Sequence, residues 1–272
     1  GQPSRGLERF LKTRDRENSQ NTKDFQYKIT HPIISDRYTW IKSSYIKFPD
    51  CINEIDLLLE KKFQNVKAKL TAFTKNQNEV YALYIDEKNE FAQYAFAATN
   101  FFNGNQKESI KLIKSLIEIN PKNPYFHEFL GEIYYFQGKY IDAINEQKIT
   151  IRLLSKDNDL HLMMLGNYLL AEGSNESILE SINVLNKSLF LNNKNSYAWY
   201  LLAKSYALNN NIPLAQYASA ERYYLRGDKH LALDFAQKAI KNIDKDTVEW
   251  YRANDLIELI LGIDEKDNKN RS

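Results

Sequence analysis

Residue types recur along this chain about every thirty-four positions, and that recurrence restricts the fold more than any other feature. Phe96-Ala97 and Leu130-Gly131 stand 34 residues apart, as do Gly104 and Gly138. Leu165-Gly166 and Gly173 follow 35 residues after their counterparts. Leu130-Gly131-Glu132-Ile133-Tyr134 returns as Leu202-Ala203-Lys204-Ser205-Tyr206, with Trp199 three residues ahead. A unit of this length holds two antiparallel helices. Neither can hide its apolar stripe alone, so successive pairs must stack.

The stretch Trp199 to Tyr206 reads W-x2-L-A-x2-Y, one substitution from the tetratricopeptide signature W-x2-L-G-x2-Y. The expected fold is therefore all-α: a right-handed tetratricopeptide-type solenoid with an N-terminal helical extension. Units are placed at about 90–123, 124–157, 159–195 and 196–229, the third with a small insertion near Ser174-Asn175-Glu176. Gly131, Ala143 and Ala203 are the small residues at which helix axes can approach. Leu130, Tyr134, Trp199, Leu202 and Tyr206 fill the space between them. Gly104, Gly138, Gly173 and Gly227 suit left-handed helix ends, and Asn123-Pro124 suits a helix start. The last boundary has two readings. Gly227, Ala232, Ala236 and Ala239 also fit a unit beginning near Pro213, so one helix over 213–225 would end one unit and open the next. Trp250, Ala253, Leu256, Ile257, Ile260 and Leu261 share one face of a capping helix over 247–262, which completes a solenoid over 89–262. Residues 263–272 are polar and expected to be disordered.

Ahead of the repeats, residues 49–88 read as a helical cap or connector. Ile52, Ile55, Leu58, Leu59, Phe63, Val66, Leu70 and Phe73 share one face of a helix over 50–74. Val80 to Ile85 reads as a short helical turn. These elements are expected to cap the N-terminal end of the stack.

Several functions are disfavoured by what is missing. Thirty-seven basic residues balance 35 acidic ones, and no basic stripe appears, so nucleic acid is not the expected partner. No apolar run is long enough to span a membrane. The single cysteine, Cys51, allows no internal disulfide and reads as a small half-buried side chain. No phosphate-binding loop or nucleophile elbow occurs. The four histidines, His31, His127, His161 and His230, include no pair four residues apart. His127-Glu128 imitates the start of a zinc motif, but Gly131 stands where the second histidine would be. His161 and His230 read as ordinary surface or half-buried residues. The chain is expected to carry out no catalysis by itself and to hold no metal or cofactor.

Binding is the better expectation. In tetratricopeptide proteins the first helix of each unit lines a groove with its second, fifth and ninth positions. Here these are Phe91, Tyr94 and Ala98; Tyr125, Glu128 and Glu132; Leu160, Met163 and Asn167; and Tyr197, Tyr200 and Lys204. Tyrosine offers area and a hydrogen bond with few rotamers to freeze. The alternative is that several of these residues only pack within the array. Tyr200 and Lys204 replace the Lys/Asn clamp with which chaperone-tail binders hold a terminal carboxylate.

Residues 1–48 differ in character. Gly6-Leu-Glu-Arg-Phe-Leu11, a polar loop, then Thr30-His31-Pro32 with Arg37 before a helix containing Tyr38, Ile41 and Tyr45 resembles the exit from the catalytic domain of BepA-like bacterial zinc metalloproteases. These belong to the forty-eighth metallopeptidase family, with HtpX. Asn120 to Gly131 and Tyr224 to Asp228 are also similar to that subgroup. The resemblance implies a periplasmic protein whose HExxH zinc domain lies upstream, with residues 1–48 as its end and linker. It implies zinc for the full-length protein and places His31 as an accessory zinc contact or a helix-entry residue fixed by Pro32. Arg37 either pairs with that domain or is solvated. The opening Gly1-Gln2-Pro3-Ser4 reads as the cut edge of a longer chain. The expected partner is a protein or peptide: an unfolded envelope protein or an assembly complex. The competing reading is a free-standing scaffold or chaperone-like adaptor, which could equally be cytoplasmic.

Overall fold

An asparagine opens the first helix of each repeat pair, and its side chain supplies the missing acceptor. In the computed structural model, which describes residues 57–84, 89–154 and 156–269 with Thr39 and Ser43, Asn89, Asn123, Asn158 and Asn195 each accept a hydrogen bond from the backbone N–H two residues on. An N-terminal turn leaves several N–H groups unpaired, and a short amide side chain satisfies one of them. Pro124 follows Asn123 at the first helical position, where its missing N–H costs nothing.

Two compact units divide the chain, residues 1–64 and 65–272. In the first, the described residues comprise the opening of α1 (Leu57–Thr74), with Thr39 and Ser43. His31, Arg37 and Cys51 lie outside the described residues, as do the segments that carry the protease resemblance in 1–37. The second unit continues α1 from Asn65. It adds α2 (Gln77–Leu83), then α3 (Glu90–Phe102), α4 (Gln106–Ile119), α5 (Pro124–Phe136), α6 (Tyr140–Leu153), α7 (Asp159–Glu172), α8 (Asn175–Leu191), α9 (Ser196–Leu208), α10 (Ile212–Leu225), α11 (Lys229–Ala239) and α12 (Val248–Lys269). Among the described residues there is no strand. From α3 onward neighbouring helices in this order pack on one another as antiparallel pairs, and each pair packs on the next. The chain is an all-α tetratricopeptide-type solenoid.

The turn inside each pair needs a left-handed residue. Gly138 takes it with φ 72°, and Asn210 (φ 58°) substitutes for glycine between α9 and α10. Asparagine tolerates that region better than other side chains do. This turn was invisible to a search for glycine. It sits where α10 plays two parts. α10 packs as closely on α11 as on α9, and it also touches α12. Helix 212–225 therefore closes one pair and opens the next, so the unit expected over 196–229 shares its second helix with its successor. The insertion near Ser174 is absorbed by helix length: α8 has 17 residues where α4 and α6 have 14.

Close approach depends on the small residues. A Cβ at Gly166 would lie 2.6 Å from Leu185 Cγ, inside van der Waals contact. Leu185 is fully buried, so it has nowhere to go. Gly166→Ala should lose about 1–3 kcal/mol to overpacking, against a helix-propensity gain of about 1 kcal/mol. The cost of Gly166→Ala is expected to shrink in a Leu185→Ala background, because the second change removes the clash. Denaturant midpoints of the two single variants and the double variant check this; strictly additive losses would contradict it. Buried polar groups tie helices together as well. Thr150 Oγ1 donates to Pro124 O and Ser188 Oγ to Asp159 O, in each case the first helical carbonyl of the partner helix. Ser181 Oγ donates to Ser205 Oγ at 2.8 Å. His127 is buried between the Glu146 carboxylate (2.7 Å) and the Pro121 carbonyl (3.1 Å), which explains it as a lock between α5 and α6.

Two expectations are corrected. The large side chains of α1 do not face a core: Leu59, Phe63, Val66, Leu70 and Phe73 are all exposed. Asn65, Ala68 and Ala72 are buried instead, the two alanines within the cluster that α3, α4 and α5 also build. Ile52 and Ile55 are outside the described residues. On α12, Ala253, Leu256 and Ile260 are buried but Leu261 is exposed, since the packed stripe runs one residue to its side. α12 runs to Lys269.

Candidate functional site

The first helices of the pairs, α3, α5, α7 and α9, form a continuous row joined by aromatic contacts. Tyr94 on α3 meets Phe126 and Phe129 on α5, ring centroids 5.5 and 5.6 Å apart. Tyr135 on α5 stacks on Tyr168 of α7 at 4.8 Å. Asn195, at the head of α9, donates to Met163 Sδ on α7 at 3.3 Å. The sequence-derived positions lie on these four helices and differ in access.

The N-terminal half of this face is occupied by the chain itself. α1 lies against it from Asn65 onward. Lys69 Nζ stands 3.7 Å from Glu128 Oε1 and 3.4 Å from Glu132 Oε2, and 5.6 Å from the centre of the Phe129 ring. Phe73 meets Phe102 edge-on at 5.5 Å. Between α1, α3 and α5 remains a mainly apolar notch of about 240 Å³, lined by Asn65, Val66, Lys69, Leu70, Tyr94, Tyr125 and Glu128. Tyr94 and Ala98 are buried, and Phe91, Tyr125, Glu128 and Glu132 are half-buried. Burial first, then the nearby Glu128 and Glu132 carboxylates, push the Tyr94 hydroxyl well above its ordinary pKa.

The C-terminal half is open. Leu160, Tyr197, Tyr200 and Lys204 are exposed, Asn167 is half-buried and Met163 is buried. Tyr197 and Tyr200 lie one turn apart on α9 with stacked rings, centroids 5.9 Å apart. Their i,i+3 spacing places them on the same side of the helix. Arg222 of α10 crosses the Tyr200 ring at 4.7 Å and the Tyr223 ring at 5.3 Å, within cation–π range. Among the described residues no carboxylate pairs with Lys204 or Arg222.

Sequence reasoning missed Lys69 and Arg222. Lys69 sits 63 residues before Glu132, on a helix outside the repeats, so no local pattern could pair them. Arg222 reaches the face because α10 serves two pairs, a feature that Gly227 had signalled. The expected metal-free character rests on the sequence; among the described residues no cluster of His, Cys, Asp and Glu could hold an ion. No described helix is long and apolar enough to cross a membrane.

No protein-family model matches the chain, and no curated protein matches it. Solved structures do. A crystal structure of MamA is similar at 18% identity over 64% of this chain and 96% of that one, with a TM-score of 0.46. YrrB, described as a TPR protein with an unusual peptide-binding site, is similar at 16% identity over 64% and 96%, TM-score 0.42. Yeast Tom70 is similar at 14% identity over 95% of this chain and 58% of its own, TM-score 0.44. The tetratricopeptide assignment itself stands on the helix pairing, the period and the capped turns of this chain.

Proposed function

We propose that the chain is a protein-interaction module that holds a peptide segment of another protein on the open face formed by α7, α9 and α10. The observation that carries this reading is the exposed Tyr197–Tyr200 stack beside Lys204 and Arg222. Exposed aromatic rings next to cations waste apolar area in water and gain from a partner that covers them. The covered half of the face, under α1, is assigned a structural role. Titration of fluorescent peptides tests the proposal. Tyr197→Ala combined with Tyr200→Ala should weaken binding about tenfold or more, as hot-spot tyrosines do. Phe190→Ala, on a residue 91% exposed but on α8, should leave it unchanged. Equal effects of the two substitutions would remove the groove from consideration.

The resemblance of residues 1–48 supports a finer proposal. The module serves a periplasmic zinc metalloprotease of the BepA-like kind, bringing it unfolded envelope proteins or an assembly partner. Zinc would be held by an HExxH domain elsewhere in that protein, and His31 would approach it. Zinc analysis and a protease assay on the natural full-length protein test this. A metal-free, inactive product would leave the free-standing scaffold.

A further inference from the structure

We infer that the open half of the groove selects an acidic peptide segment, one whose carboxylates reach Lys204 and Arg222 while an apolar or aromatic side chain covers the Tyr197–Tyr200 stack. This rests on the groove reading above and names the partner's chemistry. The argument is one of unmatched charge. The acidic pair of the face, Glu128 and Glu132, already has its cation in Lys69 of the same chain. A basic partner would have to displace it. Among the described residues the cations at the other end have no carboxylate partner: Lys204 is exposed, and Arg222 meets the rings of Tyr200 and Tyr223. The charge left for a partner is therefore positive.

Arg222 is well disposed for this. A guanidinium carries its N–H donors in its own plane and can rest against a ring while those donors bond elsewhere. They can receive a carboxylate in paired hydrogen bonds without giving up the Tyr200 contact. Lys204 lies four residues from Tyr200, one turn further along the same side of α9. The side chain of Asn167, half-buried on α7, forms no hydrogen bond with another described residue, so its amide is free to hold one peptide unit of an extended segment.

The test uses the full chain and three fluorescent peptides of equal length and aromatic content, one rich in Asp and Glu, one in Ser and Gln, one in Lys. The acidic peptide is expected to bind about tenfold or more tightly than the neutral one, the scale of one charge-assisted pair. Added salt should narrow that gap. Lys204→Glu with Arg222→Glu should abolish the preference. Lys204→Gln with Arg222→Gln should also abolish it if charge reversal disturbs folding, with circular dichroism reporting the fold. Lys241→Glu, on an exposed residue in the turn between α11 and α12, should preserve it. Equal binding of acidic and neutral peptides, or preference for the lysine peptide, overturns the inference but leaves the groove. Binding of all three that ignores Tyr197→Ala with Tyr200→Ala overturns the groove itself.

Discussion

Phe129→Ala is expected to cost about 3–5 kcal/mol, the usual loss for truncating a buried aromatic. Phe129 is fully buried. It stands edge-on to Tyr94 at 5.6 Å and to Phe101 at 5.7 Å, and Lys69 lies over its ring. The substitution therefore removes the point at which α1, α3 and α5 converge. At about 2–4 °C per kcal/mol for a chain of this size, the melting temperature should fall by about 6–20 °C. The damage should also be local. Repeats contact only their neighbours, so stability in a stack is close to a sum of unit and interface contributions. Amide exchange in α3 to α5 should speed up well before exchange in α9 to α11. Uniform acceleration along the chain would mean that the stack unfolds as one block, and the local part of this expectation would be lost.

The second large effect is alkaline. Tyr94, Tyr168 and Tyr217 all have hydroxyls raised above their ordinary pKa, with burial as the main cause. The Glu128 and Glu132 carboxylates add to it for Tyr94 and Tyr168. Glu221 adds to it for Tyr217, against the opposing Arg252. In the unfolded chain these phenols ionise near pH 10; in the folded chain they resist. Their contribution is thus fully present below about pH 10 and is lost as pH climbs from there towards the folded values. Each such tyrosine weakens the fold by about 1.4 kcal/mol per pH unit, so three together give about 4. Denaturant midpoints measured across this range should fall steeply. Phenolate absorbance should show exposed tyrosines titrating first and the buried ones only on unfolding. A flat midpoint, with all tyrosines titrating together, would contradict this.

The repeat architecture was legible because its causes are local. Gly138 marks a left-handed turn, Asn123-Pro124 marks a helix start, and the three-four apolar spacing marks a buried stripe. Each needs only a few neighbouring residues to act. The double role of α10 was also readable, through Gly227, Ala232 and Ala236, although Asn210 concealed the preceding turn. Which side of α1 meets the array was not readable: Asn65, Ala68 and Ala72 are buried, while the stripe of Phe63, Val66, Leu70 and Phe73, with more apolar area, is exposed.

The candidate site divides in the same way. That Tyr94, Tyr125, Tyr197 and Tyr200 fall on one row of helices follows from their place in the period. Which of them a partner can reach does not. That depends on α1 lying over the first half of the row, on Lys69 meeting carboxylates far along the chain, and on Arg222 swinging in from a helix shared by two pairs. Helix, turn and period follow from interactions a few residues long, which amino-acid order encodes directly. Access and charge balance arise only when distant segments compete for the same surface, and that competition is settled by packing in three dimensions.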